Sequence, residues 1–207
     1  DNGASFDNVT SPTANNLSGV VFGNNTFVAV GDNGTIVRST DNGVSFENVT
    51  SPTTNNLAGV VFGNNTFVAT GVSGNIVRST DNGTTWDNAT SSTANTLVGV
   101  GFGNNTFVAV GDNGSIVRST NNGSSFDNAT SPTANLLYGV GFGNNTFVAV
   151  GKSGTIVRST DNGSSWDNAT SPSTYFHGGV GFGNNTFVAV GGSGTIVRST
   201  DNGSNWD

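Results

Sequence analysis

Five arginines recur at one spacing, Arg38, Arg78, Arg118, Arg158 and Arg198, each opening a segment that reads RSTDNG or RSTNNG. Guanidinium groups converging on one place would bind a carboxylate ligand in bidentate fashion. A residue copied five times, however, belongs to a repeated unit rather than to one active site. Carboxylates recur in step with the arginines, at Asp7, Glu47, Asp87, Asp127, Asp167 and Asp207. One acidic group within reach of each arginine points to cross-strand or inter-repeat ion pairs, which contribute about 0–1 kcal/mol each when exposed.

Other chemistry is thinly supplied. His177 is the one histidine, Glu47 the one glutamate, and there is no cysteine. No metal centre of His, Cys or clustered carboxylates is expected from this inventory. No nucleophile motif accompanies His177 to build a Ser-His-Asp arrangement. The D-N-G turns offer single carboxylates without the further acidic ligands of a calcium loop. No helix is apparent to follow a phosphate-binding glycine loop. We therefore expect no enzyme activity and no cofactor.

Composition narrows the partners. The 207 residues carry six Lys and Arg against thirteen Asp and Glu, a formal charge of -7. No basic patch exists to neutralise successive phosphates, so nucleic acid is not an expected partner. No apolar run reaches the ~20 residues that span a bilayer, so no membrane insertion is expected. Charged residues make up only 9% of the chain, and Asn, Thr, Ser and Gly dress the surface instead. That polar composition, with N-x-[ST] sequons at Asn8 and Asn88, suits an extracellular or cell-surface location. Without an initiator Met, the chain reads as a processed product or an excerpt.

The arginines and aspartates must be carried by the repeat itself. GNNTFVAVG starts at Gly23, Gly103, Gly143 and Gly183, and as GNNTFVATG at Gly63, a constant step of 40 residues. A fixed period of that size marks stacked supersecondary units. Four strand-like segments fit into one repeat: Leu17 to Phe22, Thr26 to Val30, Thr35 to Ser39, and Ser45 to Thr50. Gly23-Asn24-Asn25, Gly31 to Gly34 and Asp41-Asn42-Gly43 supply turns between them, since Gly and Asn tolerate positive φ. Four antiparallel strands per 40 residues is the pattern of a β-propeller blade. A β-helix is the rival, but its usual repeat is shorter and lacks tight hairpin turns. The expectation is an all-β, five-bladed propeller forming a single domain over residues 1–207.

The segment S-T-D-N-G-x-x-W/F resembles the Asp-box of bacterial neuraminidase-type repeats, and the preceding G-x-I-x-R strengthens the likeness to photosystem assembly-factor propellers. It stands at Ser39 to Phe46, Ser79 to Trp86, Ser159 to Trp166 and Ser199 to Trp206, with Asn121 replacing the aspartate in Ser119 to Phe126. The resemblance implies a hairpin between third and fourth strands. In it Asp41, Asp81 and Asp161 bond turn amides, Gly43, Gly83 and Gly163 make the turn, and Phe46, Trp86 and Trp166 pack beside it. All of these roles are structural. Sialidases of this class use an arginine triad, a tyrosine with a glutamate partner, and an aspartate acid/base. Here the pseudo-symmetry spreads the arginines around the ring, so the resemblance extends to the scaffold and not to the catalytic set.

Residues 1–7 and 201–207 are copies of one piece of the repeat. A strand from residues 5 to 10 could complete the last blade and close the ring without a free edge. Alternatively, one copy reaches into a neighbouring molecule and links subunits.

The repeats differ from one another in two places. The connection into the first strand runs Asn15-Asn16-Leu17-Ser18, Asn95-Thr96-Leu97-Val98, Asn135-Leu136-Leu137-Tyr138 and Tyr175-Phe176-His177-Gly178. The turn between second and third strands runs Asp32-Asn33, Val72-Ser73, Asp112-Asn113, Lys152-Ser153 and Gly192-Ser193. In a meander both connections fall on one face of the disc, and the invariant turns fall on the other. Tyr138, Lys152, Tyr175, Phe176 and His177 are therefore the candidate ligand-binding set, since aromatics are enriched in recognition surfaces. The expected function is recognition or adhesion, with a glycan or protein ligand. The alternative is a self-assembling structural subunit of a fibre or sheath, joined through the duplicated ends.

Overall fold

A computed structural model describes residues 7–207. These residues form strands and turns, with a short 3-10 turn in every repeat and no longer helix. The strands make five sheets. The first holds β1 (Leu17–Gly23), β2 (Thr26–Gly31), β3 (Ile36–Ser39) and β4 (Glu47–Val49). The second holds β5 (Leu57–Gly63), β6 (Thr66–Gly71), β7 (Ile76–Ser79) and β8 (Asp87–Asn88). The third takes β9 (Thr90–Ser91), β10 (Leu97–Gly103), β11 (Thr106–Gly111), β12 (Ile116–Ser119) and β13 (Ser125–Asn128). The fourth has β14 (Leu137–Gly143), β15 (Thr146–Gly151), β16 (Ile156–Ser159) and β17 (Asp167–Asn168). The fifth has β18 (His177–Gly183), β19 (Thr186–Gly191) and β20 (Ile196–Ser199).

Each sheet is an antiparallel meander in chain order; β9 alone joins in parallel, on the outer side of β13. The first hairpin of every sheet turns on two asparagines with positive φ, 48° at Asn24 and 59° at Asn25 in the first. That is the backbone of a two-residue turn whose twist matches the flanking strands. The fourth strand is shorter than the sequence pattern implies, two to four residues instead of six.

The core lies between sheets. In a TFVAV strand, alternate side chains point to opposite faces. Val28 and Val30, with Ile36, pack from the first sheet onto Leu57, Phe67, Ala69, Val77 and Trp86 of the second. The same junction joins second to third, third to fourth and fourth to fifth. Each fully buried Val, Leu or Phe contributes about 1.5–3 kcal/mol, so each strand of an inner sheet is stabilised from both sides.

The first strands lie innermost and side by side, β1 by β5, β5 by β10, β10 by β14, and β14 by β18. Among the described residues, no packing of comparable extent joins β18 back to β1. The expected closing strand begins outside the described residues, and Asp7 to Thr10 form no strand. Val9 to Pro12 line a shallow cleft against Leu17, Ala29, Val37 and Phe46 of the first sheet. There the Asn48 amide donates to the Pro12 carbonyl at 2.9 Å. No helix of the described residues is long and apolar enough to cross a membrane.

Candidate functional site

The S-T-D-N-G hairpins join third to fourth strands, and their aspartates are saturated with donors. Asp41 Oδ1 accepts from the Ser39 hydroxyl at 2.7 Å and the Ser45 amide at 3.0 Å. Its Oδ2 accepts from the Ser45 hydroxyl at 2.6 Å. The Ser45 hydroxyl, then its amide, then Ser39 hold the Asp41 carboxyl down to about 2. At Asp161 partial burial pushes the carboxyl up, but Ser165 and Ser159 outweigh it and bring it to about 2. Asp81 is lowered against the same burial by Thr85 and Ser79. Gly43, Gly83 and Gly163 follow with φ near +80°. The indoles of Trp86 and Trp166 donate to the Gly83 and Gly163 carbonyls at 3.2 and 3.1 Å. Phe46 holds the corresponding place in the first sheet but is only half-buried. Asn121 accepts the same two bonds and donates to Ser125 at 2.8 Å.

The arginine–carboxylate reading holds in part. Arg38 Nε meets Glu47 at 2.7 Å, and Arg198 meets Asp207 at 3.5 Å. Arg78, Arg118 and Arg158 stand directly across the ladder from Asp87, Asp127 and Asp167, yet no ion pair forms there among the described residues. Two of the arginines reach the next sheet: Arg38 donates to Thr84 at 2.6 Å and Arg78 to the Asn122 carbonyl at 3.1 Å, while the buried Nε atoms of Arg118 and Arg158 meet no partner among the described residues. Arg38 and Arg78 are thus ties between sheets.

Between the invariant turns lies a bonding pattern that the sequence alone leaves invisible. Asn82 donates to the Thr26 hydroxyl at 2.6 Å and accepts from Asn24 at 3.3 Å. Asn122 repeats this on Thr66 and Asn64, and Asn162 reaches Thr106. GNNT and DNG stay constant because each is clamped by the other across a junction.

The variable connections do share one face. In every sheet the carbonyl just before the first strand accepts from the first amide of the second-to-third turn, as in Leu136 to Lys152 (2.8 Å) and Phe176 to Gly192 (2.9 Å). The first strands also carry a bulge there, with Leu17 opposite Gly31 but Gly19 opposite Val30. The extra residue is Ser18, Ala58, Val98, Tyr138 or Gly178 in the five sheets, the most varied position of the repeat. A bulge re-aims the side chain it carries.

At this bulge Tyr138 meets Phe176 of the fifth sheet edge-to-face, with ring centroids 5.7 Å apart. Tyr175 and Phe176 are half exposed, and Lys152 is exposed on the turn packed beside β18. Gly192 gives Phe176 its place: a β-carbon there would lie 2.8 Å from the ring. That glycine, where the other repeats have Asp, Val or Lys, is the residue that sequence reasoning missed, and its pairing with Phe176 was the available signal.

His177 does not belong to this surface. It is fully buried, in the position of Leu57, Leu97 and Leu137. Its Nε2 lies 3.3 Å from the Ser171 hydroxyl, and its Nδ1 has no partner among the described residues. Burial pushes the imidazole below its usual range.

No family model matches the chain, and no curated protein matches it in sequence. Solved structures do resemble it in fold. One is YCF48 bound to D1 peptide, 18% identical, with a TM-score of 0.73 over 95% of this chain and 67% of that one. A catalytically inactive virginiamycin B lyase from Staphylococcus aureus, solved with quinupristin, is 16% identical with a TM-score of 0.75 over 92% and 72%. The WD40 repeats of RRP9 are 12% identical with a TM-score of 0.68 over 85% and 60%. Repeated four-stranded meanders of this kind are the architecture of β-propellers, and the likeness shows the fold alone.

Proposed function

We propose that the chain is a non-catalytic, extracellular recognition module of five Asp-box-type blades, which binds a protein or glycan ligand on its variable face. The exposed rings of Phe176 and Tyr175, with the part-buried Tyr138 edge-to-face on Phe176 and Lys152 alongside, carry this reading. It sits where the repeats diverge, while the opposite turns are held constant by the asparagine clamp. Flat aromatic surfaces of this kind suit sugar faces and apolar peptide side chains. The peptide held by YCF48 lends support to a protein ligand. Saturated carboxylates in the Asp hairpins, with Arg38 and Arg78 engaged between sheets, support a scaffold without a reaction centre.

A second reading is a self-assembling structural subunit joined by its duplicated ends. It is favoured by the fifth sheet, where Asp207 exchanges backbone bonds with Arg198 at 2.8 and 3.0 Å and so begins a fourth strand.

Screening the full chain against an immobilised glycan panel and a peptide library tests recognition. Phe176→Ala and Tyr175→Ala should each weaken a captured probe about tenfold or more while leaving the melting temperature within a few degrees. Capture that survives both substitutions unchanged would place the site elsewhere.

A further inference from the structure

The two ends of the arc of sheets present opposite halves of one junction. On the fifth sheet Val188, Val190 and Ile196 are exposed, and Ile196 is 70% accessible where Ile36, Ile76, Ile116 and Ile156 are 1%. On the first sheet Leu17, Val20 and Phe22 are exposed, and Leu17 is 43% accessible where Leu57, Leu97 and Leu137 are at most 1%. The first group is the half contributed by Val28, Val30 and Ile36 in the first junction; the second is the half contributed by Leu57, Val60 and Phe62.

The match is atomic as well as chemical. Gly23, Gly63, Gly103 and Gly143 each receive the ring of the next sheet's phenylalanine, Phe62, Phe102, Phe142 and Phe182. A β-carbon on Gly183 would meet nothing within 4 Å among the described residues, and Phe22 is half exposed. The polar ties are truncated in the same way. Arg38, bridged to the next sheet, has a side chain 17% accessible, whereas Arg198 is 62% accessible. Among the described residues no asparagine of a following turn reaches Thr186, as Asn82 reaches Thr26.

We infer that the fifth-sheet face docks onto the first-sheet face of a second copy of this chain, forming a fifth junction with the chemistry of the four internal ones. The occupant is specified by the molecule itself: Phe22 of one copy seats on Gly183 of the other, Leu17 and Val20 cover Val188, Val190 and Ile196, and Asn42 clamps Thr186. The side chains that meet are apolar at the centre, the composition of a buried interface core, with Arg198 and Asp207 at the edge of the fifth-sheet face. Because the contact uses two different surfaces, it is heterologous, and it yields a closed ring of chains or an open filament according to its rotation. This goes beyond ligand recognition at the variable face, and it does not use the duplicated termini.

Light scattering behind size exclusion, on the full chain over a concentration series, tests it. We expect masses above the 20.9 kDa of one chain. Val20→Asp and Ile196→Asp replace exposed residues, so each variant should keep its circular dichroism while associating at least about a hundredfold more weakly. An equimolar mixture of the two variants retains one intact pair of faces and should form a capped heterodimer. Deletion of residues 1–7 should leave association in place. A wild-type chain that is monomeric throughout, association that survives both substitutions or is lost only on the deletion, or variants that stay monomeric when mixed, would each overturn the inference.

Discussion

The ring of Phe102 occupies the space that a side chain on Gly63 would fill: a β-carbon there would stand 2.2 Å from Cγ and Cδ1. The sheets are seated on one another by this contact, aromatic ring on bare backbone, at all four junctions.

Gly63→Ala should therefore lower stability by about 1–3 kcal/mol, the usual cost of forcing extra atoms into a packed core. Gly183→Ala should cost under about 0.5 kcal/mol in the isolated chain, as open surface positions do. Urea denaturation of the two variants side by side checks the difference.

Acid should act on the hairpins. Asp41 and Asp161 are held at about 2, below the ordinary 3.8. A carboxyl whose folded value is depressed contributes stability above its unfolded value and loses it as pH falls through the folded one. Thermal melting should thus weaken between about pH 4 and pH 2, and Asp161→Asn should flatten its share of that slope. An Asp161→Asn profile as steep as wild type would show that other groups drive the acid transition.

His177 works in the opposite range. Its folded value lies below 6.5 because burial withdraws the water that would solvate the charged ring. The unfolded chain then binds the proton first, so stability is present above pH 6.5 and declines as pH falls below it. His177→Leu restores the side chain of the sister repeats and removes the unpaired Nδ1. It should gain about 1 kcal/mol at pH 7 and lose the dependence below pH 6.5, followed by melting at several pH values.

The repeat and its alternation make the all-β meander legible, because glycine and asparagine punctuate strands whose two faces are both apolar. The common face of the variable connections follows from the same count of strands. Burial of His177 was equally readable from Leu57, Leu97 and Leu137 at its register, because position in the repeat outweighs the ionisable type of the side chain. Cross-strand pairing of Arg78 with Asp87 was not so readable: the ladder sets them opposite, but the guanidinium reaches a better partner on the next sheet. That neighbour, like the clamp of Asn82 on Thr26, is set by stacking, which no single repeat encodes.

Asparagine contacts and phenylalanine seats recur at all four junctions, so neighbouring sheets are fastened in closely similar ways. Stability in such an array is a sum over nearest neighbours. Size then becomes a quantity that changes in steps of one repeat, each addition bringing its own fastening and leaving the two terminal surfaces chemically as they were.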